Sequence, residues 1–285
     1  MARSPSMSHG PRPKRSALRG FTIGFIGAGT MGRALIKGLL TQGISRKALR
    51  ASDPSARARR EVRRTFHIAV TDDNLAVVRN SDVLVLAVKP QQFPELVAQI
   101  VPALNRHQLV ISIAAGITLR WLQTRLPGQP IVRVMPNLPA TVGRGFSVIA
   151  TGRAATARHR AMALAMFGAV GEVAGLPERA FDAVTAVSGS GPAYVFFLVE
   201  AWETAAKQLG LPSSVASRAI QQTLEGSVRL LRTAEEPASA LIEKVASKGG
   251  TTEAALRVLA RRHVAAHVVE ALQADTCRSK QLSMS

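Results

Sequence analysis

The N-terminal half of this chain takes its fold from one stretch of sequence, Gly24-Phe25-Ile26-Gly27-Ala28-Gly29-Thr30-Met31-Gly32. An apolar run is followed at once by the pattern G-x-G-x-x-G and then by a helical pattern. In such a turn the first glycine permits a tight bend, the second lets the backbone approach a pyrophosphate, and the third allows close packing of the helix. The start of that helix also favours an anion. We therefore expect a dinucleotide to be bound by Gly27, Ala28, Gly29, Thr30, Met31 and Gly32.

Outward from this turn, short β-branched runs alternate with helical stretches as far as about Val173. The predicted strands are Phe21–Ile26, Leu49–Ser52, Val83–Val88, Leu109–Ile113, Ile131–Met135 and Phe146–Ala150. The predicted helices are Met31–Gln42, Ala56–Thr65, Gln92–Ile100, Leu119–Arg125 and Ala155–Phe167. Such alternation is typical of a parallel sheet with helices on both faces. The fold class is therefore α/β, with a Rossmann-type dinucleotide-binding domain over residues 20–175.

The remainder of the chain, residues 176–285, has a different pattern. Apolar residues recur there at helical spacing, and the breaks fall at Gly210-Leu211-Pro212 and Glu236-Pro237. This pattern predicts an all-helical domain of about a hundred residues, which is short to bury a core by itself. We therefore expect it to dimerise, so that the chain forms a homodimer or a larger homo-oligomer; a substrate-binding role for this domain is implied only by the family resemblance given below.

The composition indicates a cytoplasmic protein. The apolar runs Ala161–Val170 and Ala193–Val199 are shorter than the ~18 residues of a membrane helix, and we expect both to be buried helices. One cysteine excludes an internal disulfide, and the six histidines show no metal-ligand spacing, so no metal site is expected. Residues 1–19 carry five Arg or Lys residues, three prolines and no acidic residue, which predicts a disordered basic tail rather than a secretory signal.

The net charge of +19 leaves a non-enzymatic alternative open. Basic surface attracts nucleic-acid phosphates without reading sequence, so an NADP-binding or nucleic-acid-binding module would also fit. Against nucleic acid, aromatic residues are only 4% of the chain and do not alternate with the basic ones. We expect general arginine enrichment and one phosphate-bearing cofactor instead.

The residues after the second strand give conflicting signals about the cofactor. An acidic residue such as Asp53 binds the ribose 2′-hydroxyl of NAD when it faces that ribose. If Asp53 instead caps the helix ahead of Pro54, then Arg57, Arg59 and Arg60 would bind a 2′-phosphate. We favour NADPH, with NADH as the alternative. Two further loops follow strands at the same sheet edge and add cofactor contacts at Ala87, Val88, Lys89, Pro90, Ala114 and Ala115.

Several segments together resemble the pyrroline-5-carboxylate reductase family. The most specific are the run from Ser188 to Tyr194, Ser-Gly-Ser-Gly-Pro-Ala-Tyr, and the run Gly249-Gly250-Thr251-Thr252. The others are Gly24–Met31, Ala87–Gln91, Ser112–Ile117, Arg133–Asn137 and Val245–Thr252, in the family's order. The resemblance implies hydride transfer from NAD(P)H to the C=N bond of 1-pyrroline-5-carboxylate, giving L-proline in the last step of proline biosynthesis. It also implies the same two-domain fold.

The resemblance assigns further site residues. It places Ser52 and Asn74 near the adenosine ribose, and the loop Gly249, Gly250, Thr251 and Thr252 around the substrate carboxylate, with Thr252 as the catalytic hydroxyl near the ring nitrogen. Glycines let successive backbone amides converge on an anion, which agrees with this role. The same two glycines could instead be a simple helix break with Thr251 as N-cap.

Two lysines depart from the family pattern, and two related activities compete with the expected one. Lys248 stands where the family usually has proline, and Lys244 where it often has asparagine or glutamine. Reduction of a related cyclic imine is one alternative activity. A β-hydroxyacid dehydrogenase is another, but that family has a catalytic lysine on its long interdomain helix, and Ala193–Trp202 contains none.

Overall fold

A computed structural model describes residues 15–284 of the chain. Eight strands form one sheet in the order β3-β2-β1-β4-β5-β6-β7-β8, and neighbouring strands are parallel except for β6 and β7. The strands are β1 Ile23–Ile26, β2 Leu49–Ser52, β3 Ala69–Thr71, β4 Val83–Leu86, β5 Leu109–Ser112, β6 Ile131–Met135, β7 Gly145–Thr151 and β8 Gly171–Gly175. The order of the first six is that of the doubly wound Rossmann sheet. The predicted fold class is confirmed.

Twelve α-helices are present in the described part of the chain. Those of the N-terminal part are α1 Thr30–Thr41, α2 Ala56–Phe66, α3 Asn74–Arg79, α4 Phe93–Ile100, α5 Leu119–Arg125, α6 Ala157–Phe167 and α7 Phe181–Val184. Those that follow are α8 Gly191–Gln208, α9 Ser213–Thr233, α10 Ala238–Val245, α11 Thr251–Arg261 and α12 Val264–Met284.

The sheet forms the core of the N-terminal part. Every residue of β1, β4 and β5 is buried, as expected of central parallel strands covered on both faces. Two apolar clusters result, one on each face of the sheet, the first containing Phe25 and Phe167 and the second Phe93 and Phe181. This rigid layer fixes the positions of the loops that follow the strands.

Three elements were not predicted from the sequence, namely β3, α3 and β8. Each is short or weakly patterned: β3 has three residues, none fully buried, and β8 contains two glycines. The antiparallel pairing of β7 with β6 is a second difference, because simple strand–helix alternation predicts parallel neighbours throughout.

Part of the segment expected to be a disordered tail has structure. Arg15–Leu18 form a 3-10 turn, and Leu18 is buried in the first apolar cluster. The expectation of disorder was wrong for these residues, because the apolar side chains of Ala17 and Leu18 pack against the core. Residues 1–14 of the expected tail lie outside the described residues.

Contacts along the chain define two compact units. Among the described residues, Ser190–Asp275 form one, and those from Arg15 to Gly189 together with those from Thr276 to Met284 form the other. In the first-named, helical unit, α8 and α9 contact each other, and among the described residues α10 and α11 bury no side chain. The domain boundary near residue 175 remains a prediction.

The expectation that Ala193–Val199 is a buried helix was wrong for the chain by itself. These residues lie on α8, where Phe196 and Phe197 are 60% and 69% exposed. By length and composition alone, one helical stretch within residues 15–284, Glu178–Gln208, could cross a membrane. The other apolar run, Ala161–Val170, is buried as expected, with Met166 and Phe167 fully enclosed.

Candidate functional site

Four parallel strands end side by side at one edge of the sheet. Ile26 is level with Ser52 on one side and with Leu86 on the other, and Leu86 is level with Ser112. The loops that follow these residues therefore start along a common line, which is where a doubly wound sheet binds its ligand. All the loops in which cofactor contacts were predicted begin at this edge.

The glycine turn after β1 has the geometry that the sequence predicts. Gly27 has φ +97°, and a Cβ there would lie 2.7 Å from the carbonyl oxygen of Ala87, so only glycine fits. A Cβ on Gly32 would lie 2.6 Å from the carbonyl oxygen of Gly27, which shows how closely the helix approaches the turn. At Gly29, by contrast, a Cβ would meet nothing within 4 Å. The space above Gly29 can therefore hold a ligand.

The start of α1 offers backbone amides to that space. The first helical amide with a backbone partner is that of Arg33, which donates to Gly29 over 3.0 Å, and no side chain caps the helix at Gly29. The amides of Thr30, Met31 and Gly32 precede that bond. Amides in this position, together with the helix dipole, suit a pyrophosphate.

Asp53 is held against the glycine turn. Its Oδ2 accepts the amide of Ala28 at 2.9 Å, and its Oδ1 accepts the amide of Ser55 at 2.8 Å. The N-cap of α2 is Ser55, whose hydroxyl accepts the amide of Ala58. The carboxylate of Asp53 thus connects the turn after β1 to the turn after β2, and both its oxygens already have backbone donors.

The arginines of α2 differ in their availability. Arg59 donates to the carbonyl oxygens of Asp53 and Pro54 and forms an ion pair with Asp72 at 3.1 Å. Arg57 and Arg60 are exposed. A phosphate near the end of β2 would therefore meet Arg57 or Arg60 more readily than Arg59.

Ser52 and Asn74 form a polar chain that the sequence did not reveal in full. The buried Ser52 hydroxyl donates to Oδ1 of Asn74 at 2.7 Å, and Nδ2 of Asn74 donates to Oε1 of Gln99 at 2.8 Å. Gln99 lies on α4 and was not among the predicted site residues. The two residues that the resemblance assigns to the ribose are thus in direct contact.

The loops after β4 and β5 are small and partly open. Lys89 is exposed and begins a 3-10 turn at Pro90, while Ala114 is buried and Ala115 exposed. In the second loop the buried Ser112 hydroxyl accepts the amide of Ala114 at 3.4 Å. The small side chains of Ala87, Ala114 and Ala115 would let a flat ring lie against the backbone at this edge.

Asn137, just beyond β6, is a further residue that sequence reasoning missed. Its Nδ2 donates to the carbonyl and hydroxyl oxygens of Ser188, each at 3.1 Å, and its Oδ1 accepts the amide of Phe146 at 2.8 Å. Ser188 lies in a π-helical segment, Thr185–Gly189. Such segments are frequent at functional sites, and here an amide side chain fixes one to the sheet.

The loop Gly249-Gly250-Thr251-Thr252 lies at the start of α11 in the helical unit. The amide of Gly250 donates to Ser247 at 3.0 Å, and the amide of Gly249 donates to the carboxylate of Glu253. The first helical amide with a backbone partner is that of Ala254. The glycines therefore shape the turn, and the amides of Thr251 and Thr252 stand at the helix start, where an anion binds.

The two lysines that depart from the family pattern, Lys244 and Lys248, both precede Gly249 in the chain. Lys248 is exposed. Lys244 forms an ion pair with Glu236 at 2.6 Å and is likewise largely exposed. Such exposed pairs contribute little to stability.

Tyr194, on α8 of the same unit, has a raised pKa. Its hydroxyl donates to Asp275 at 2.5 Å, and burial, with this hydrogen bond as the second cause, raises the pKa.

The sheet, its aligned strand ends and the glycine turn define a dinucleotide-dependent oxidoreductase. Residues 178–282 match the family described as pyrroline-5-carboxylate reductase dimerisation, and residues 22–116 match that described as NADP oxidoreductase, coenzyme F420-dependent. The pyrroline-5-carboxylate reductase of Pseudomonas aeruginosa is 41% identical over 92% of this chain and 96% of its own length. The chain belongs to the pyrroline-5-carboxylate reductase family.

Solved structures support the same conclusion. The pyrroline-5-carboxylate reductase of Coxiella burnetii superposes with a TM-score of 0.85 at 33% identity, over 92% of this chain and 98% of that one. The pyrroline carboxylate reductase of Plasmodium falciparum, solved with NADP bound, gives 0.85 at 28% identity over 93% and 98%. The family predicted from the sequence is confirmed, whereas the individual site residues remain predictions.

Proposed function

We propose that this chain reduces the C=N bond of 1-pyrroline-5-carboxylate to give L-proline, with NADPH as cofactor and NADH as the alternative. The proposal is supported by two helix starts, at α1 and α11, whose first amides precede the first backbone hydrogen bond of the helix, in a chain that matches these reductases over nearly its whole length. The first would hold the pyrophosphate, with Gly27, Ala28, Gly29, Thr30, Met31 and Gly32 lining it. The second would hold the substrate carboxylate.

The preference for NADPH follows from the surroundings of Asp53. Asp53 already accepts the backbone amides of Ala28 and Ser55, and these two bonds hold its carboxylate against the glycine turn. Exposed Arg57 and Arg60 can pair with a 2′-phosphate. The relative from Plasmodium falciparum with NADP bound agrees with this choice.

The substrate would be positioned by the loop at the start of α11. The amides of Thr251 and Thr252 bind its carboxylate, and the hydroxyl of Thr252 donates a hydrogen bond to the ring nitrogen. The cofactor, when bound, supplies a hydride to the imine carbon, which becomes C5 of proline, and a proton reaches the nitrogen, which completes the reduction. Since the imine is readily protonated in water, positioning and exclusion of solvent are the main contributions of the protein.

The helical part is a dimerisation domain in this family, and we propose that the chain forms a homodimer or larger homo-oligomer in the cytoplasm. The exposed apolar surface of α8 supports this assembly, since a second copy would cover it. Assembly through α8 would also explain a hydrophobic helix without a membrane.

Initial rates of NADPH and NADH oxidation test the proposal. Pyrroline-5-carboxylate should support turnover with both cofactors, at a lower KM for NADPH. The six-membered cyclic imine and a β-hydroxyacid, the latter assayed in the oxidative direction, should be poorer substrates. Absence of turnover together with salt-sensitive DNA binding would instead support the nucleic-acid alternative.

Thr252→Ala tests the catalytic role. Loss of one hydrogen bond to the reacting nitrogen should lower kcat about tenfold or more and leave the dissociation constant for NADPH unchanged. The control is Thr233→Ala, which removes a hydroxyl at the end of α9 that bonds only to its own helix. An unchanged rate for Thr252→Ala would remove this residue from the site.

A further inference from the structure

The Ser247–Gly250 turn before α11 has central residues that constrain its backbone poorly. The amide of Gly250 closes it by donating to Ser247, so Lys248 and Gly249 are its two central residues. Gly249 has φ +74°, the value that a type II turn needs at its third position. The second position of such a turn is where proline is favoured, because proline fixes φ in advance. Lys248 does not fix φ as proline would, and Gly249, being a glycine, has more backbone freedom than any other residue type.

A side chain from the helix compensates for this flexibility. Glu253 is the third residue of α11, and its Oε2 accepts the amide of Gly249. Its other oxygen, Oε1, accepts Nη2 of Arg257 at 2.8 Å, one helical turn further on. Hydrogen bonds from Arg257 and from Gly249 lower the pKa of Glu253, so it is ionised at neutral pH. The carboxylate thus holds the turn at its least constrained residue.

We propose that Glu253, supported by Arg257, is a positioning residue that keeps the Ser247–Gly250 turn in the conformation in which Thr251 and Thr252 bind the substrate carboxylate. The inference rests on the proposed function of that loop. It gives Glu253 no contact with the reacting atoms, and its effect is to hold the amides of Thr251 and Thr252 in one arrangement before substrate arrives. Such preorganisation lowers the cost of binding.

Because Glu253 is negatively charged, its removal could either weaken or strengthen substrate binding, and the direction distinguishes two effects. A carboxylate near the start of α11 would by itself repel the carboxylate of the substrate. The guanidinium of Arg257 offsets this charge, and the bond to Gly249 orders the turn. If ordering is the larger effect, removal of Glu253 weakens substrate binding; if repulsion is larger, removal strengthens it.

The test is a set of three variants, Glu253→Ala, Glu253→Gln and the double variant Glu253→Ala with Lys248→Pro. Glu253→Ala should raise the KM for pyrroline-5-carboxylate about tenfold, as expected for loss of a hydrogen bond to a charged group, with kcat and the KM for NADPH unchanged. Glu253→Gln retains an acceptor for Gly249 and should have a smaller effect. The added proline should restore about threefold of the loss, because it fixes the turn by another route.

Hydrogen exchange at the amide of Gly249 gives a readout that does not depend on activity. Exchange should be faster in Glu253→Ala than in the wild type, and the proline should not reverse that change. An unchanged or lowered KM in Glu253→Ala, or unchanged exchange at Gly249, would overturn the proposal. If the wild type does not turn over pyrroline-5-carboxylate at all, the proposed function fails, and the exchange measurement still decides whether Glu253 holds the turn.

Discussion

The sheet unit and the helical unit of this chain differ in how they bury their apolar residues. Three central strands of the sheet are buried along their whole length, and helices cover both faces. In the helical unit, α8 buries only Ala206 among its residues and exposes two adjacent phenylalanines. One unit therefore completes its core within the chain, whereas the other leaves apolar surface exposed, which a second copy would cover in the proposed assembly. Dinucleotide binding should depend on the first unit alone, and assembly on the second.

Phe197→Asp should have the largest effect, because it places a charge on the exposed apolar surface that distinguishes the helical unit from the sheet unit. A charge placed in the proposed interface would be buried without a partner, at a cost of at least about 3 kcal/mol per chain and so about 6 kcal/mol per dimer, or more than about ten-thousandfold in the dimer dissociation constant. The variant should sediment as a monomer and lose turnover, yet still bind NADPH.

Val142→Asp is the matched control for this prediction. Val142 is 73% exposed, close to the 69% of Phe197, but it belongs to the sheet unit. This variant should keep the assembly of the wild type. A dimeric Phe197→Asp variant would show that α8 does not form the interface.

Asp53→Ala tests how far cofactor binding by the sheet unit depends on the contact between Asp53 and the glycine turn. It leaves the amide of Ala28 without its partner, and loss of a hydrogen bond to a charged group should raise the KM for NADPH and for NADH about tenfold each. Asp72→Ala is the control, because Asp72 pairs with Arg59 and does not contact the glycine turn. A fall in the KM for NADPH with a rise for NADH would instead show that Asp53 faces the ribose.

The smallest expected effect is a shift in the titration midpoint of Tyr194, which lies in the helical unit. It is the only tyrosine, so its ionisation can be followed directly by absorbance. Because its pKa is raised in the folded chain, the titration midpoint should lie at higher pH in the native protein than in urea. The corresponding stability is present below the unfolded pKa and is lost as pH rises through the folded one.

Asp275→Asn separates the two causes of this shift. It removes the charge beside the phenol and should lower the native midpoint, leaving the part that is due to burial. Equal midpoints in the native and unfolded wild type would mean that Tyr194 is fully solvated.

Elements with strong local patterns could be predicted from the sequence, and weak ones could not. The bounds of β2, β6 and α5 agree with expectation, because β2 alternates apolar and polar residues, β6 is rich in β-branched residues and α5 has apolar residues at helical spacing. β3 has only three residues, and its position depends on pairing with β2. The exposure of α8 also escaped prediction, since the sequence shows that a helix is apolar but not which surface covers it.

The part of the candidate site that is formed by backbone, the glycine turn after β1, could be predicted from the sequence. The glycine turn follows from residue types at fixed spacing, whereas Asp53 and Asn137 act on partners 25 and 51 residues away. No local pattern reports such contacts. Glu253 binds an amide only four residues away, yet it escaped prediction because the N-cap of α11 is Gly250 and not the Ser or Thr that marks a capping box.

The grouping of residues from Thr276 onward with the sheet unit has a consequence for any attempt to divide the protein. The hydroxyl of Ser279 donates to Asp182 at 2.7 Å, and a side chain on Gly116 would meet the carbonyl of Leu282 at 3.2 Å. In chain connectivity, Ser190–Asp275 is thus an insertion with both ends attached to one parent unit. Cleavage at a single site cannot release either unit intact, and a truncation after Gly189 removes part of the sheet unit along with the helices.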